Sequence, residues 1–175
     1  MEEKMVMKEK KEENTETLRF CSFYVNDRLF GIDISFIKEI NDEFHVTRIY
    51  HAPTEINGYV NIRGRIFLVL DFRKLMGMEP RETWDNARLI LFKTEQLENC
   101  GVLVDDVGDV VDVAANFIED RRKNRLANKP VVERRKDRSN LGAGVCKLDN
   151  RLMVIIEPRN IMGYVEEKVA DRTSV

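Results

Sequence analysis

The stretch "GYVNIRGRIFLVLDFRKLMG", Gly58 to Gly77, decides the fold because a similar stretch recurs later in the chain. It aligns without a gap with "GVCKLDNRLMVIIEPRNIMG", Gly144 to Gly163, pairing Gly58 with Gly144, Arg65 with Arg151, Arg73 with Arg159 and Gly77 with Gly163, an offset of 86. In each copy an apolar approach breaks at a two-residue turn, an apolar run follows, and a short segment ends on glycine. Short apolar runs bounded by turn residues read as strands. Asp71 ahead of Gly77, and Pro158 ahead of Gly163, read as the start and stop of single short helices.

Working outward, "GIDISFIKEI" (Gly31 to Ile40) matches "GVLVDDVGDV" (Gly101 to Val110) at an offset of 70, so the second copy carries 16 extra residues between Val110 and Gly144. "LRFCSFYV" and "RLILFKT" pair more loosely ahead of these glycines. A unit this long is no solenoid repeat, whose period is roughly 20 to 50 residues. The chain therefore divides into two similar lobes, about 18–80 and about 84–163, after a charged tail over 1–17 and before a C-terminal tail over 164–175. Leu18 to Val25 and Leu29 to Ile34 flank Asn26-Asp27, a pair suited to a tight hairpin, and Ile37 to Ile40 reads as a further strand. Pro53 suggests a helical turn just ahead of Gly58. Five or so short strands per lobe are too few for an open sandwich, and closure removes their exposed edges. The expectation is an all-β chain with a few short helices, arranged as two small barrels.

Composition agrees with a globular protein: 175 residues, 43% hydrophobic, 34% charged, net charge −2. The tail "MEEKMVMKEKKEENTET" lacks the apolar core of a signal peptide, and no window approaches the roughly 18 apolar residues of a membrane span. A cytoplasmic protein is expected, touching a membrane only through a partner. Cys21, Cys100 and Cys146 sit in apolar runs and read as reduced core thiols. His45 and His51 share one loop without metal-ligand spacing, and no GxSxG, P-loop or GxGxxG is present. No catalytic centre, metal or cofactor is expected. The segment Glu119 to Arg138 holds nine basic and four acidic residues within the extra chain of the second lobe. It would suit phosphates or an acidic partner, but it has no interleaved aromatics for base stacking, so a solvated loop is favoured. Trp84 reads as a packing residue.

One residue resists a structural account. Gly64 corresponds to Asn150, and both tolerate positive φ. Arg63 corresponds to Asp149, where Asp offers the local hydrogen bonds a turn prefers. Arginine gives the turn nothing and presents a five-donor fork, which points to recognition. Glu39 and Asp109 occupy matching places beside branched apolar residues, and read alone are solvent-facing strand residues. Ile34, Ile37 and Ile40 read as core, or as the lining of a groove for a partner helix.

The elements "FGIDISFIKEI", "VTRI", "APTEINGYVNIRGRIFLVLDFRKLMG", "GVLVDDVGDVV" and "GVCKLDNRLMVIIE", in this order across Leu18 to Gly163, resemble the CheW-type coupling proteins of bacterial chemotaxis. The Gly-x-x-Asn-Ile-Arg-Gly element followed by an apolar run and Asp is the most specific of them. The resemblance implies two pseudo-symmetric, five-stranded, SH3-like barrels without enzymatic activity. It further implies an adaptor that joins the cytoplasmic tip of methyl-accepting receptors, a helical hairpin bundle, to the regulatory domain of the histidine kinase CheA. Carried over by motif, Ile34, Ile37, Glu39, Gly58, Arg63 and Gly64 match positions of receptor or kinase coupling. The chain departs from the family pattern at Glu157, where an aspartate is usual, and in the basic loop. A small-barrel nucleic-acid binder using residues 121–138 is the alternative, and nucleic acid is not the expected partner.

Overall fold

The Asn26-Asp27 pair turns the chain as expected, with both residues at positive φ (50° and 60°), and joins β1 (Thr17–Val25) to β2 (Arg28–Asp33). A computed structural model of the protein describes residues 16–93, 97–120 and 141–173, the last three by their backbone alone. The acidic-basic tail up to residue 15 and the basic segment 121–138 lie outside the described residues. After β2 a 3₁₀ turn, Ile34–Phe36, leads to β3 (Ile37–Asn41), then β4 (Ile56–Ile62), β5 (Arg65–Asp71) and the one-turn helix α1 (Phe72–Leu75). The second repeat gives β6 (Arg88–Phe92), β7 (Cys100–Val104), β8 (Asp106–Ala114), β9 (Ile118–Asp120), β10 (Gly142–Leu148), β11 (Arg151–Ile156) and helix α2 (Pro158–Thr173).

The strands form two sheets, ordered β8-β1-β2-β11-β10-β9 and β3-β6-β7-β5-β4. The fold is the expected all-β pair of SH3-like, barrel-like units. Lobes 18–80 and 84–163 nevertheless do not coincide with the sheets. The opening hairpin of each repeat pairs with the closing strands of the other, a reciprocal exchange. The repeat itself verifies it: parallel pairing sets Ile155 opposite Gly31 and Val69 opposite Gly101, the same junction at the offsets of 86 and 70. Both closing hairpins carry a bulge at the equivalent glycine, Gly58 and Gly144. Sheet one gains a sixth strand because β9 pairs with β10 over three residues, where sheet two has a single bridge, Thr47 to Tyr59.

The exchange explains why the opening hairpins read as apolar runs. Their strands are buried on both faces, which removes the polar alternation of a half-exposed strand. Along β6, Leu89 and Leu91 enter one core with Phe67, Val69 and Leu103, while Ile90 and Phe92 enter the central core with Phe23, Phe30 and Phe72. A third core, of Phe20, Leu29, Cys146, Met153 and Ile155, fills sheet one. In the central core the Phe23, Phe30 and Phe72 rings meet at 5.0 to 5.5 Å between centroids, each contact contributing about 1 kcal/mol beyond its buried area. The three cysteines are buried and unpaired, and burial pushes the Cys100 thiol up to about 12.

The short-helix expectation holds for α1, where Asp71 accepts the Lys74 N–H and Gly77 leaves the helix at φ 67°. It fails for α2. Gly163 is not among the positive-φ glycines, nothing stands within 4 Å of where its Cβ would be, and the helix runs on to Thr173. Ile161, Tyr164 and Val165, spaced three and four apart along one helical face, are buried in the central core and hold it. Tyr164 and Val165, in the expected C-terminal tail, therefore belong to the packed core. Instead of a helical turn, Pro53 starts a turn closed by the Ile56 N–H donating to its carbonyl.

Candidate protein-docking site

The turn Arg63-Gly64 forms as the sequence requires, and Arg63 occupies the left-handed region at φ 52°, beside Gly64 at φ 83°. Left-handed backbone costs a Cβ-bearing residue about 1–2 kcal/mol. Asn61 supports the turn by accepting the Gly64 N–H at 2.8 Å. Asn61 stands in the Gly-x-x-Asn-Ile-Arg-Gly element with no role of its own assigned from sequence, although Asn ahead of a glycine turn is a known Asx signal.

Arg63 and Glu39 come together. Arg63 Nη1 lies 3.2 Å from Glu39 Oε2, with the arginine side chain 82% exposed and the glutamate 23%. Glu39 is on β3 and Arg63 follows β4, the two ends of the second sheet, so the pair spans the seam where that sheet curls on itself. In the first sheet the equivalent residues are Asp109 and Asp149, two acids that cannot pair. An ion pair this exposed contributes at most about 1 kcal/mol, and most of the guanidinium's donors face solvent.

Ile34 opens the 3₁₀ turn between β2 and β3 and Ile37 follows it, where the chain crosses from one sheet to the other, and both are half-buried. Asp33 Oδ1 caps this turn through the Ser35 N–H at 2.8 Å. Gly64 is exposed at the turn, whereas Gly58 is buried at the bulge. A Cβ there would stand 2.2 Å from the Thr47 carbonyl oxygen, so Gly58 acts on the site through the backbone.

On its strands the second sheet exposes Ile40, Tyr59 and Ile66; the first sheet exposes Val110 and Leu152. Ile40 and Val110 are equivalent in the repeat, as are Ile66 and Leu152. Isolated exposed apolar residues are ordinary. Recurrence at the same positions of both repeats is not.

A second feature was not legible in sequence. At the crossing from β7 to β8, Asp105 accepts from Arg73 Nε at 3.0 Å and from Arg73 Nη2, from Arg81 Nη1 at 3.4 Å, and from the Asn26 N–H at 2.8 Å. Burial works against ionisation of this carboxyl, but the Arg73 and Asn26 hydrogen bonds and the arginine charges outweigh it and hold it below the ordinary aspartate value. Asp71 is the reverse case: burial raises its pKa, and the Lys74 N–H and charge only partly oppose that. Among the described residues, no group of three His, Cys, Asp or Glu is arranged to hold a metal ion, and no helix is long and apolar enough to cross a membrane.

Residues 19–166 match the family model described as the CheW-like domain. The chemotaxis protein CheW of Helicobacter pylori is 27% identical over 154 residues, covering 87% of this chain and 86% of that protein. CheW of Bacillus subtilis is 27% identical over 141 residues, covering 80% and 83%. The crystal structure of the scaffolding protein TtCheW from Thermoanaerobacter tengcongensis superposes with a TM-score of 0.70 at 24% identity, covering 83% of this chain and 92% of that one, a likeness of fold.

Proposed function

The chain belongs to the CheW-like domain family, and from that premise we propose that it bridges the cytoplasmic tip of methyl-accepting receptors to the regulatory domain of a CheA-type histidine kinase. It is a chemotaxis adaptor and scaffold that acts by binding and carries out no reaction. A receptor tip built of helices would lie along the crossing that carries Ile34 and Ile37, with Glu39, Arg63 and Gly64 at its edge; helix-in-groove docking needs this kind of apolar seat with a polar rim. The matched, exposed apolar side chains of the two sheets give two similar faces, enough for two partners. The proposed location is the cytoplasm.

The observation that carries this reading is Arg63. The fold tolerates its left-handed backbone and derives little from its exposed ion pair, which leaves its donors for something outside the chain. Strained residues of this kind concentrate where function needs them. Purified chain titrated by calorimetry against a receptor cytoplasmic fragment, and separately against a kinase regulatory domain, tests the proposal. Saturable binding of both is expected, and binding of neither would overturn it. None of the matched relatives named above is described as binding nucleic acid, and the basic segment that suggested it lies outside the described residues.

A further inference from the structure

The two crossings between the sheets are held in different ways, and the difference starts from one methylene. After β5, Asp71 is buried, accepts the Lys74 N–H at 3.2 Å and caps α1. Its carboxylate is thereby occupied, and Arg73 reaches over to Asp105 at the β7–β8 crossing, in an ion pair only 14% and 19% exposed. After β11 the equivalent residue is Glu157. Its longer side chain folds onto Arg159, accepting from Nε at 2.8 Å and from Nη2 at 3.0 Å. A two-point fork of this kind fixes the plane of a guanidinium as well as its position. Held so, Arg159 lies over the Phe36 ring, 5.1 Å from its centroid.

Phe36 belongs to the β2–β3 crossing, between Ile34 and Ile37. Its ring packs against the central core and its carbonyl accepts the Lys93 N–H at 3.1 Å. The crossing that carries the proposed partner-binding residues is thus steadied by a largely exposed cation over a ring, while the opposite crossing is fixed by a part-buried ion pair. We propose that Glu157 and Arg159 are a positioning pair: from the first turn of α2 they set Phe36, and through it the Ile34–Ile37 turn, for a helical partner. The inference rests on the coupling function proposed above, and it gives a reason for glutamate where the first repeat has Asp71.

The test combines a readout that needs no partner with one that does. In ¹⁵N–¹H spectra of the free protein, Arg159→Ala and Glu157→Asp should each move the amide signals of Ser35 to Glu39, with melting close to that of the parent chain. An exposed cation–π contact of about 0.5–1 kcal/mol corresponds to a two- to fivefold loss of affinity for a receptor cytoplasmic fragment. Arg159→Lys, which keeps a cation but loses the fork, should fall between. Phe36→Leu combined with Arg159→Ala should lose no more than the larger single effect, because both remove one contact. Unmoved amides, or losses that multiply in the double variant, overturn the positioning pair. If the parent chain binds no receptor fragment, the coupling function fails and the amide shifts alone decide the positioning.

Discussion

Replacing Arg63 with Asn separates what the turn needs from what a partner needs. Asn accepts the left-handed region that Arg63 occupies at φ 52°, and Asp149 holds the equivalent turn position at φ 37°. Relief of left-handed strain is worth up to about 1–2 kcal/mol. Loss of an ion pair whose arginine is 82% exposed costs about 0.2–1 kcal/mol. The balance is a folded state unchanged or stabilised by up to about 2 kcal/mol. A hydrogen bond from the guanidinium to a partner contributes about 1.5–3 kcal/mol, so binding should weaken roughly 10- to 150-fold, at about 1.4 kcal/mol per factor of ten. Urea denaturation reads the first quantity and calorimetric titration with a receptor fragment or kinase regulatory domain the second. A variant destabilised by more than about 1 kcal/mol, with affinity within twofold of the parent, would refute the reasoning: Arg63 would then be a structural residue.

The two glycines of the candidate site should behave differently. Gly58→Ala drives a Cβ to 2.2 Å from the Thr47 carbonyl oxygen and should cost more than about 3 kcal/mol in chemical denaturation; Gly64→Ala meets nothing within 4 Å and should cost only the strain of φ 83°, about 1–2 kcal/mol. Asp105→Asn should destabilise by about 2 kcal/mol at neutral pH, less than a fully buried pair because Arg73 still reaches water. Its sign with pH follows from the lowered folded-state pKa: the stabilisation is present above the unfolded aspartate value and lost as pH falls through the folded one. The gap between parent and variant should therefore close as pH drops from about 5 to 2. Ending the chain after Gly163 removes Tyr164 and Val165 from the central core, each worth about 1.5–3 kcal/mol, so thermal melting should fall well below that of the full chain.

The repeat made the fold class legible, because duplicated turns and glycines identify equivalent positions without any model of packing. It could not reveal the exchange. Whether β2 pairs with β5 of its own repeat or β11 of the other is a choice between two equivalent apolar strands, and the local apolar pattern is the same for both. Only the burial of both faces of the opening hairpins favours the exchanged form, and that appears in sequence as nothing more than missing alternation. Gly163 misled for a related reason: it aligns with Gly77, but three apolar residues around it, Ile161, Tyr164 and Val165, hold the helix through a position where propensity alone would end it. At the site, Arg63 stood out because its counterpart was an ordinary turn residue. Its approach to Glu39 depends on curvature of the sheet, and the Arg159–Phe36 contact on the length of the Glu157 side chain, neither of which a residue pattern encodes.

The exchange also bears on how one chain would keep two partners apart. Because each sheet is built from both repeats, the apolar faces come in matched form, with Ile40 and Ile66 on one and Val110 and Leu152 on the other. Apolar area of this kind supplies adhesion but little discrimination. The charges break the symmetry: Glu39 and Arg63 pair at the rim of one sheet, whereas Asp109 and Asp149 hold the equivalent places on the other. A partner presenting a carboxylate would be drawn to the first through Arg63 and repelled by the second, and like-charge repulsion is how similar surfaces reject wrong partners. Two faces alike in exposed apolar residues and unlike in charge would let a bridging protein bind two different proteins at once without binding either in the wrong place.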